Sequence, residues 1–224
     1  MMNKVKLVSY TKPCDLEHAE LTTLKDIISY CARVSNPSNQ NNTESTDKLL
    51  SYLIKHKHWS PFEMANACME IHTTRDIAHQ IVRHRSFSFQ EFSQRYADPT
   101  NDLDFVIREA RLQDESNRQN SIEVDDQDLQ LSWRLKQSLI IHEAKMAYKW
   151  AIENGIAKEQ ARSVLPEGNT VSKLYMNGSI RSWIHYIDLR SGPETQKEHR
   201  EIARACGVEL SRIFEMADGS ITKE

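Results

Sequence analysis

The sequence predicts a single mixed α/β (α+β) domain, rich in helix and built on a small sheet. Three observations carry that expectation. Apolar residues recur at helical spacing in several segments, above all over 129–154. Shorter segments alternate apolar with polar residues between turn-forming clusters, the pattern of strands. No internal repeat or long linker divides the 224 residues, a length that suits one large domain able to bury a core.

Lys4–Thr11 alternates and reads as a strand. Leu16–Val34 carries Leu21, Leu24, Ile27, Ile28 and Cys31 at helical spacing and reads as a helix. SNPSNQNNTEST, residues 35–46, is a polar loop. Thr46 and Asp47 then cap a helix over Lys48–His56, with Leu49, Leu50, Leu53 and Ile54 inward. His58–Pro61 turns the chain into a strand over Phe62–Thr73, where Met64, Cys68 and Ile71 are among the apolar positions. Thr74 caps a helix from Arg75 to about Arg85. On it Gln80, Arg83 and His84 share one face, because residues three and four apart are neighbours, and Ile77, Ala78 and Ile81 face the core. The chain after Arg85 reads as an irregular loop.

Residues 97–126 are polar and acidic, with Phe105, Val106 and Ile107 as their compact apolar group. They are expected to form a partly ordered excursion, variable over about 98–128. Leu129–Asn154 is a long helix with a stripe of Leu131, Leu135, Leu139, Ile140, Ala144, Met146, Ala147, Trp150 and Ala151, ended by Gly155. A short helix over Lys158–Val164 stops before Pro166, Thr170–Met176 is a strand, and Ser179–Leu189 and Thr195–Met216 are helices. Trp133, Trp150 and Trp183 are assigned to core or interface.

Lys plus Arg number 29 and Asp plus Glu 32, a net charge of -3. A dedicated nucleic-acid binder is usually basic, so this balance argues against one while leaving room for a local anion site. The apolar runs are far shorter than a membrane span, and the N-terminus lacks the features of a signal peptide. A cytoplasmic protein is expected. Cys14, Cys31, Cys68 and Cys206 show no CxxC spacing, which predicts free thiols, with Cys68 and Cys206 in the core. His56 and His58 form an HxH, but zinc needs three or four converging ligands, so no metal is expected. Neither GxGxxG nor GxxxxGK[ST] occurs, so any dinucleotide is held without a Rossmann turn or a P-loop.

One stretch departs from the acidic background. RHRSFSFQEFSQRY, Arg83 to Tyr96, gathers three arginines and a histidine with serines and aromatics around a single acid, Glu91. Arginine grips phosphate bidentately and serine adds neutral donors. Phe87, Phe89, Phe92 and Tyr96 add surfaces for stacking on planar rings. Nucleotides are natural ligands of such a segment. A nucleotide-using enzyme and a single-stranded RNA module both fit it.

Arg83-His84-Arg85 with Ser88, Glu91, Ser93, Arg95 and Tyr96 resembles the signature of the flavin-dependent thymidylate synthases, the ThyX family. Further elements are similar in the same order: Ala32-Arg33-Val34-Ser35, then His56 to Glu63 (HKHWSPFE), Gln80 three residues before the signature, Ala161 to Pro166 (ARSVLP), and Arg181-Ser182 through Asp188-Leu189-Arg190 to Thr195-Gln196-Lys197-Glu198. The resemblance covers roughly residues 20–205.

The resemblance implies an α/β fold with a small, mainly antiparallel sheet, a homotetramer, and FAD bound across subunits. It implies reductive methylation of dUMP to dTMP, with 5,10-methylenetetrahydrofolate as carbon donor and FAD reduced by NADPH as hydride source. No cysteine acts as nucleophile, and neither nucleic acid nor membrane is a partner. By the same resemblance Arg83, His84 and Arg85 contact FAD, with Ser35, His58, Ser60, Glu91, Ser179, Arg181 and His185 also on the flavin side. Ser93, Arg95 and Arg162 hold dUMP, mainly its phosphate, and Gln80, Arg83 and Glu91 also reach the nucleotide. Arg190 is the activating, catalytic residue. A fixed cation against the uracil favours loss of the N3 proton and makes the ring a better carbon nucleophile. Ser179 and His185 stand where many relatives have Asn, and Glu194 where some have His.

Overall fold

The computed structural model describes residues 4–14 and 20–215. The start of the helix expected from Leu16 and the Met216 end of the last one lie outside the described residues.

The centre is a four-stranded antiparallel sheet in the order β1 (Lys4–Tyr10), β2 (Asn66–Thr74), β6 (Val171–Ser179), β3 (Ser88–Glu91). Its register follows from period-2 patterning. Met69 pairs with Met176 and Ile71 with Leu174, and all four are fully buried on one face. Each such side chain stabilises the fold by roughly 1.5–3 kcal/mol. Helices close that face. α1 (Leu24–Ala32) supplies Leu24 and Ile28, α2 (Thr46–Lys55) supplies Leu50 and Leu53, α7 (Ile180–Arg190) supplies Trp183, Tyr186 and Ile187, and α8 (Lys197–Ser211) supplies Ile202, Ala203, Cys206 and Leu210. The Trp183 indole donates to the Ala67 carbonyl at 2.9 Å, tying α7 to β2.

Several elements differ from the sequence expectation. α1 begins at Leu24 because Thr23 and Asp26 form a reciprocal capping box. Phe62 lies in a 3-10 turn (Ser60–Glu63) rather than a strand, and β2 starts at Asn66. Cys68 falls on the other face of β2 and is half-buried, not core, whereas Cys206 is buried as expected. α3 (Arg75–Ile81) ends before Arg83, and residues 88–91 form β3 on the edge of β6 instead of an irregular loop. Phe87 gives the reason. Its ring enters the core 4.8 Å from Trp183, so the chain turns out of the helix to deliver it. Gly178 makes room, since a Cβ there would lie 2.4 Å from the Phe87 ring.

The excursion is ordered. It holds a turn of helix, α4 (Pro99–Asp102), and a hairpin of β4 (Arg111–Gln113) and β5 (Ser121–Glu123). Its partners come from elsewhere. Gln137 and Gln130 on α5 (Gln127–Glu153) exchange bonds with the backbone of Arg108 and Ala110, and Arg111 pairs with Glu198. After α5 come Gly155, with φ of 77°, and the short α6 (Lys158–Ala161).

The α5 stripe is only partly covered in the single chain. Only Gln137, Ala144, Tyr148 and Ala151 of this helix are buried. Leu131, Leu135, Leu139, Ile140, Met146 and Trp150 remain 53–60% exposed. Of the stripe, Ala144 and Ala151 pack inward, and these six side chains form a surface in the single chain.

Candidate functional site

The sequence-predicted residues fall into three groups. The first stands where α3 runs into the loop before β3. Gln80, in the last turn of α3, donates to Gln196 just ahead of α8 at 2.9 Å. Beyond the helix, the His84 backbone N–H bonds to the Ile81 carbonyl. The His84 ring packs edge-on against Tyr186 at 4.9 Å. Arg190, the last residue of α7, donates its Nε–H to His84 Nε2 at 3.0 Å. The buried Tyr186 hydroxyl lies 3.1 Å from Nε2 of His199, also buried. Burial, then the charges of Arg190 and Arg83, push His84 down to about 4. Burial, then Arg190 and His84, push His199 down to about 3. Both rings are therefore neutral near pH 7, and a neutral His84 accepts the Arg190 bond. Arg83 and Arg85 point their side of the loop into solvent.

The second group lies at the end of β3. Glu91 accepts from Ser172 at 2.6 Å and from Arg75 at 3.3 Å. Ser93 is half-buried and Arg95 is exposed, paired with Glu159 at 3.7 Å. Arg162 follows α6, and it lines a cleft of about 400 Å³ with Arg75, Gln94, Glu159 and Ser163. Two guanidinium groups and a buried amide in one cleft suit a phosphate.

The third group comes from the turns before β2 and the start of α7. Ser35 and His58 are exposed in turns, and Ser60 opens the 3-10 turn. Ser179 caps α7 through the Ser182 N–H. Ser182 also donates to the Ser86 carbonyl, joining α7 to the Arg83–Arg85 loop. Arg181 pairs with Glu63. His185 meets the Trp59 ring edge-on at 4.5 Å; partial burial and then Arg181 lower its pKa. The His56 and His58 rings lie 6.3 Å apart and both pack on Tyr52.

The set fits a flavin dinucleotide in its donors. Arg83 and Arg85, both exposed, offer cations to a pyrophosphate. Burial pushes the Cys31, Cys68 and Cys206 thiols up, away from the thiolate. Sequence reasoning missed Arg75, Ser172, Tyr186 and His199. Gln196 stood inside a matched stretch without a role. Nothing local marks these residues, since each acquires its partner through the sheet or the α7–α8 packing.

The chain is similar to proteins already known. Residues 18–215 match the family described as thymidylate synthase complementing protein. A flavin-dependent thymidylate synthase of Synechocystis sp. is 50% identical over 201 residues, 90% of this chain and 91% of its own length. A probable flavin-dependent thymidylate synthase of Paramecium bursaria Chlorella virus 1 is 47% identical over 201 residues, 90% of each chain. The UMP/dUMP methylase PolB from Streptomyces cacaoi, solved with 5-Br dUMP, superposes with a TM-score of 0.79 at 23% identity, covering 97% of this chain and 93% of that one, and so shares the fold. With its antiparallel sheet, its spaced arginines and these relatives, the chain belongs to the flavin-dependent thymidylate synthase family.

Proposed function

We propose that the protein methylates dUMP to dTMP as a flavin-dependent thymidylate synthase. One observation carries this reading. The spaced pattern from Arg83 to Arg95 is complete, and its histidine is hydrogen-bonded to Arg190, the residue expected to activate the base. Bound FAD, reduced by NADPH, would supply the hydride, and 5,10-methylenetetrahydrofolate the carbon.

The chain's own residues bind, orient and polarise. Arg83, His84 and Arg85, with Ser35, His58, Ser60, Glu91, Ser179, Arg181 and His185, hold FAD. Ser93, Arg95 and Arg162 take the dUMP phosphate, and Gln80, Arg83 and Glu91 reach the nucleotide. Arg190, held through Nε by His84, directs its remaining N–H groups at the uracil. There it stabilises the anion left when N3 loses its proton, and the enriched ring attacks carbon.

The active form is a homotetramer with sites shared between subunits. Two features support this. The α5 stripe exposes six large apolar side chains in the single chain, and the site residues fall into separate groups on its surface. The test is tritium release from [5-³H]dUMP with FAD, NADPH and methylenetetrahydrofolate. Flavin-dependent release is expected; none from folded, yellow protein would refute the reading.

A further inference from the structure

β3 places Phe89 and Glu91 on the core face of the sheet, opposite Met176 and Leu174. Both of those partners are fully buried, so a carboxylate beside them needs compensation. Two residues provide it, and the family resemblance gives neither a role. Ser172, two places from Leu174 on the same face of β6 and 1% exposed, donates its hydroxyl to Glu91 Oε1 at 2.6 Å. Arg75 Nη1 donates to the same oxygen at 3.3 Å. Arg75 opens α3 directly after β2, and its backbone N–H bonds to the Thr170 carbonyl at 2.9 Å. Thr73, two residues earlier, is the register partner of Ser172. Arg75, Ser172 and Glu91 thus sit on three adjoining strands or their ends, a rigid frame. Both donors reach Oε1, and Arg75 also lines the cleft that holds Gln94 and Arg162.

We propose that Arg75 and Ser172 are positioning residues that grip Glu91 by Oε1 and present Oε2 to a ring N–H of the bound pyrimidine or flavin. This rests on the preceding reading, in which Glu91 reaches both ligands. A double-mutant cycle tests it, with kcat, the KM for dUMP and the flavin dissociation constant measured for each variant. Arg75→Met is expected to lower kcat about 10- to 100-fold, the scale of a charge-assisted hydrogen bond, and Ser172→Ala about 3- to 10-fold. In a Glu91→Gln background Arg75→Met should change kcat less than about 3-fold, because the partner it positions is already altered. Arg75→Lys restores part of the loss. Where Arg75→Met does not fold, Arg75→Lys and Ser172→Ala complete the same cycle. A rise in dUMP KM on Glu91→Gln assigns Oε2 to the pyrimidine, and weaker flavin binding assigns it to the flavin. Equal effects of Arg75→Met in both backgrounds, or none in either, overturn the proposal. The flavin dissociation constant needs no turnover. Coupling seen there supports the proposal even if the wild type releases no label, a result that sinks the enzymatic reading alone.

Discussion

Arg190 and His84, 106 residues apart in sequence, are joined by a 3.0 Å hydrogen bond from Nε to Nε2. The bond fixes the guanidinium plane before any ligand arrives, and preorganised charge is where electrostatic catalysis gains most. It also demands an unprotonated His84. His84→Leu removes the acceptor while keeping the bulk against Tyr186. It should cost kcat/KM about 10- to 100-fold, and His84→Gln, which retains an acceptor, should cost less. Steady-state kinetics with flavin saturation checked by absorbance decides this; equal losses in both variants would mean that His84 serves the cofactor alone.

The neutral histidines make the fold acid-sensitive. His199 and His84 titrate near 6.5 when unfolded but about 3 and about 4 when folded. Below pH 6.5 the unfolded chain therefore binds protons that the native state refuses, and stability falls as pH drops from 6.5 toward 4. The buried His199 contributes a slope of up to about 1.4 kcal/mol per pH unit, and the more accessible His84 less. Groups facing them from neighbouring elements are Arg190 and Tyr186 on α7 and Arg83 in the loop. Urea midpoints measured between pH 7 and 5 should show this decline, and His199→Gln, which keeps a polar partner for Tyr186, should flatten it. An unchanged slope in that variant would contradict the assignment.

The exposed stripe of α5 predicts assembly through this helix. Burying one leucine or isoleucine is worth about 1.5–3 kcal/mol, so Leu139→Glu with Ile140→Glu should dissociate the oligomer at micromolar concentration. Both side chains are more than half exposed in the single chain, so the subunit should keep its helical circular dichroism. Sedimentation reads the mass and tritium release reads the shared site, which should lose more than about 10-fold. An intact oligomer in the variant would move the interface elsewhere.

Gly178→Ala should be costly for a stated reason. The added methyl would meet the Phe87 ring at 2.4 Å, and overpacking of this kind costs about 1–3 kcal/mol. Phe87→Leu in the same chain should recover part of that loss, because the obstructing ring is gone. Chemical denaturation of the single and double variants measures the coupling, and strict additivity would show that the contact is not the cause.

Strands β1, β2 and β6 of the main sheet, the helices covering it and the spacing of the candidate site residues were legible in the sequence, because hydrophobic period and the Arg83–Arg95 pattern are local signals. The end of α3 was not. Ile77, Ala78 and Ile81 continue a helical period, and only the tertiary seat of Phe87 beside Gly178 stops it. The α5 stripe was read with the right period, but periodicity reports an apolar face and not what covers it. Arg75, Ser172, Tyr186 and His199 were invisible because their significance lies in cross-strand and helix–helix neighbours.

Arg190→Ala puts the central claim to its most direct test. Tritium release from [5-³H]dUMP is compared in wild type and variant, with FAD absorbance and circular dichroism as controls for cofactor and fold. The expected result is a folded, yellow variant that has lost about 100-fold or more of the release, the scale of one removed preorganised charge contact. Release within about twofold of wild type from that same protein would contradict it.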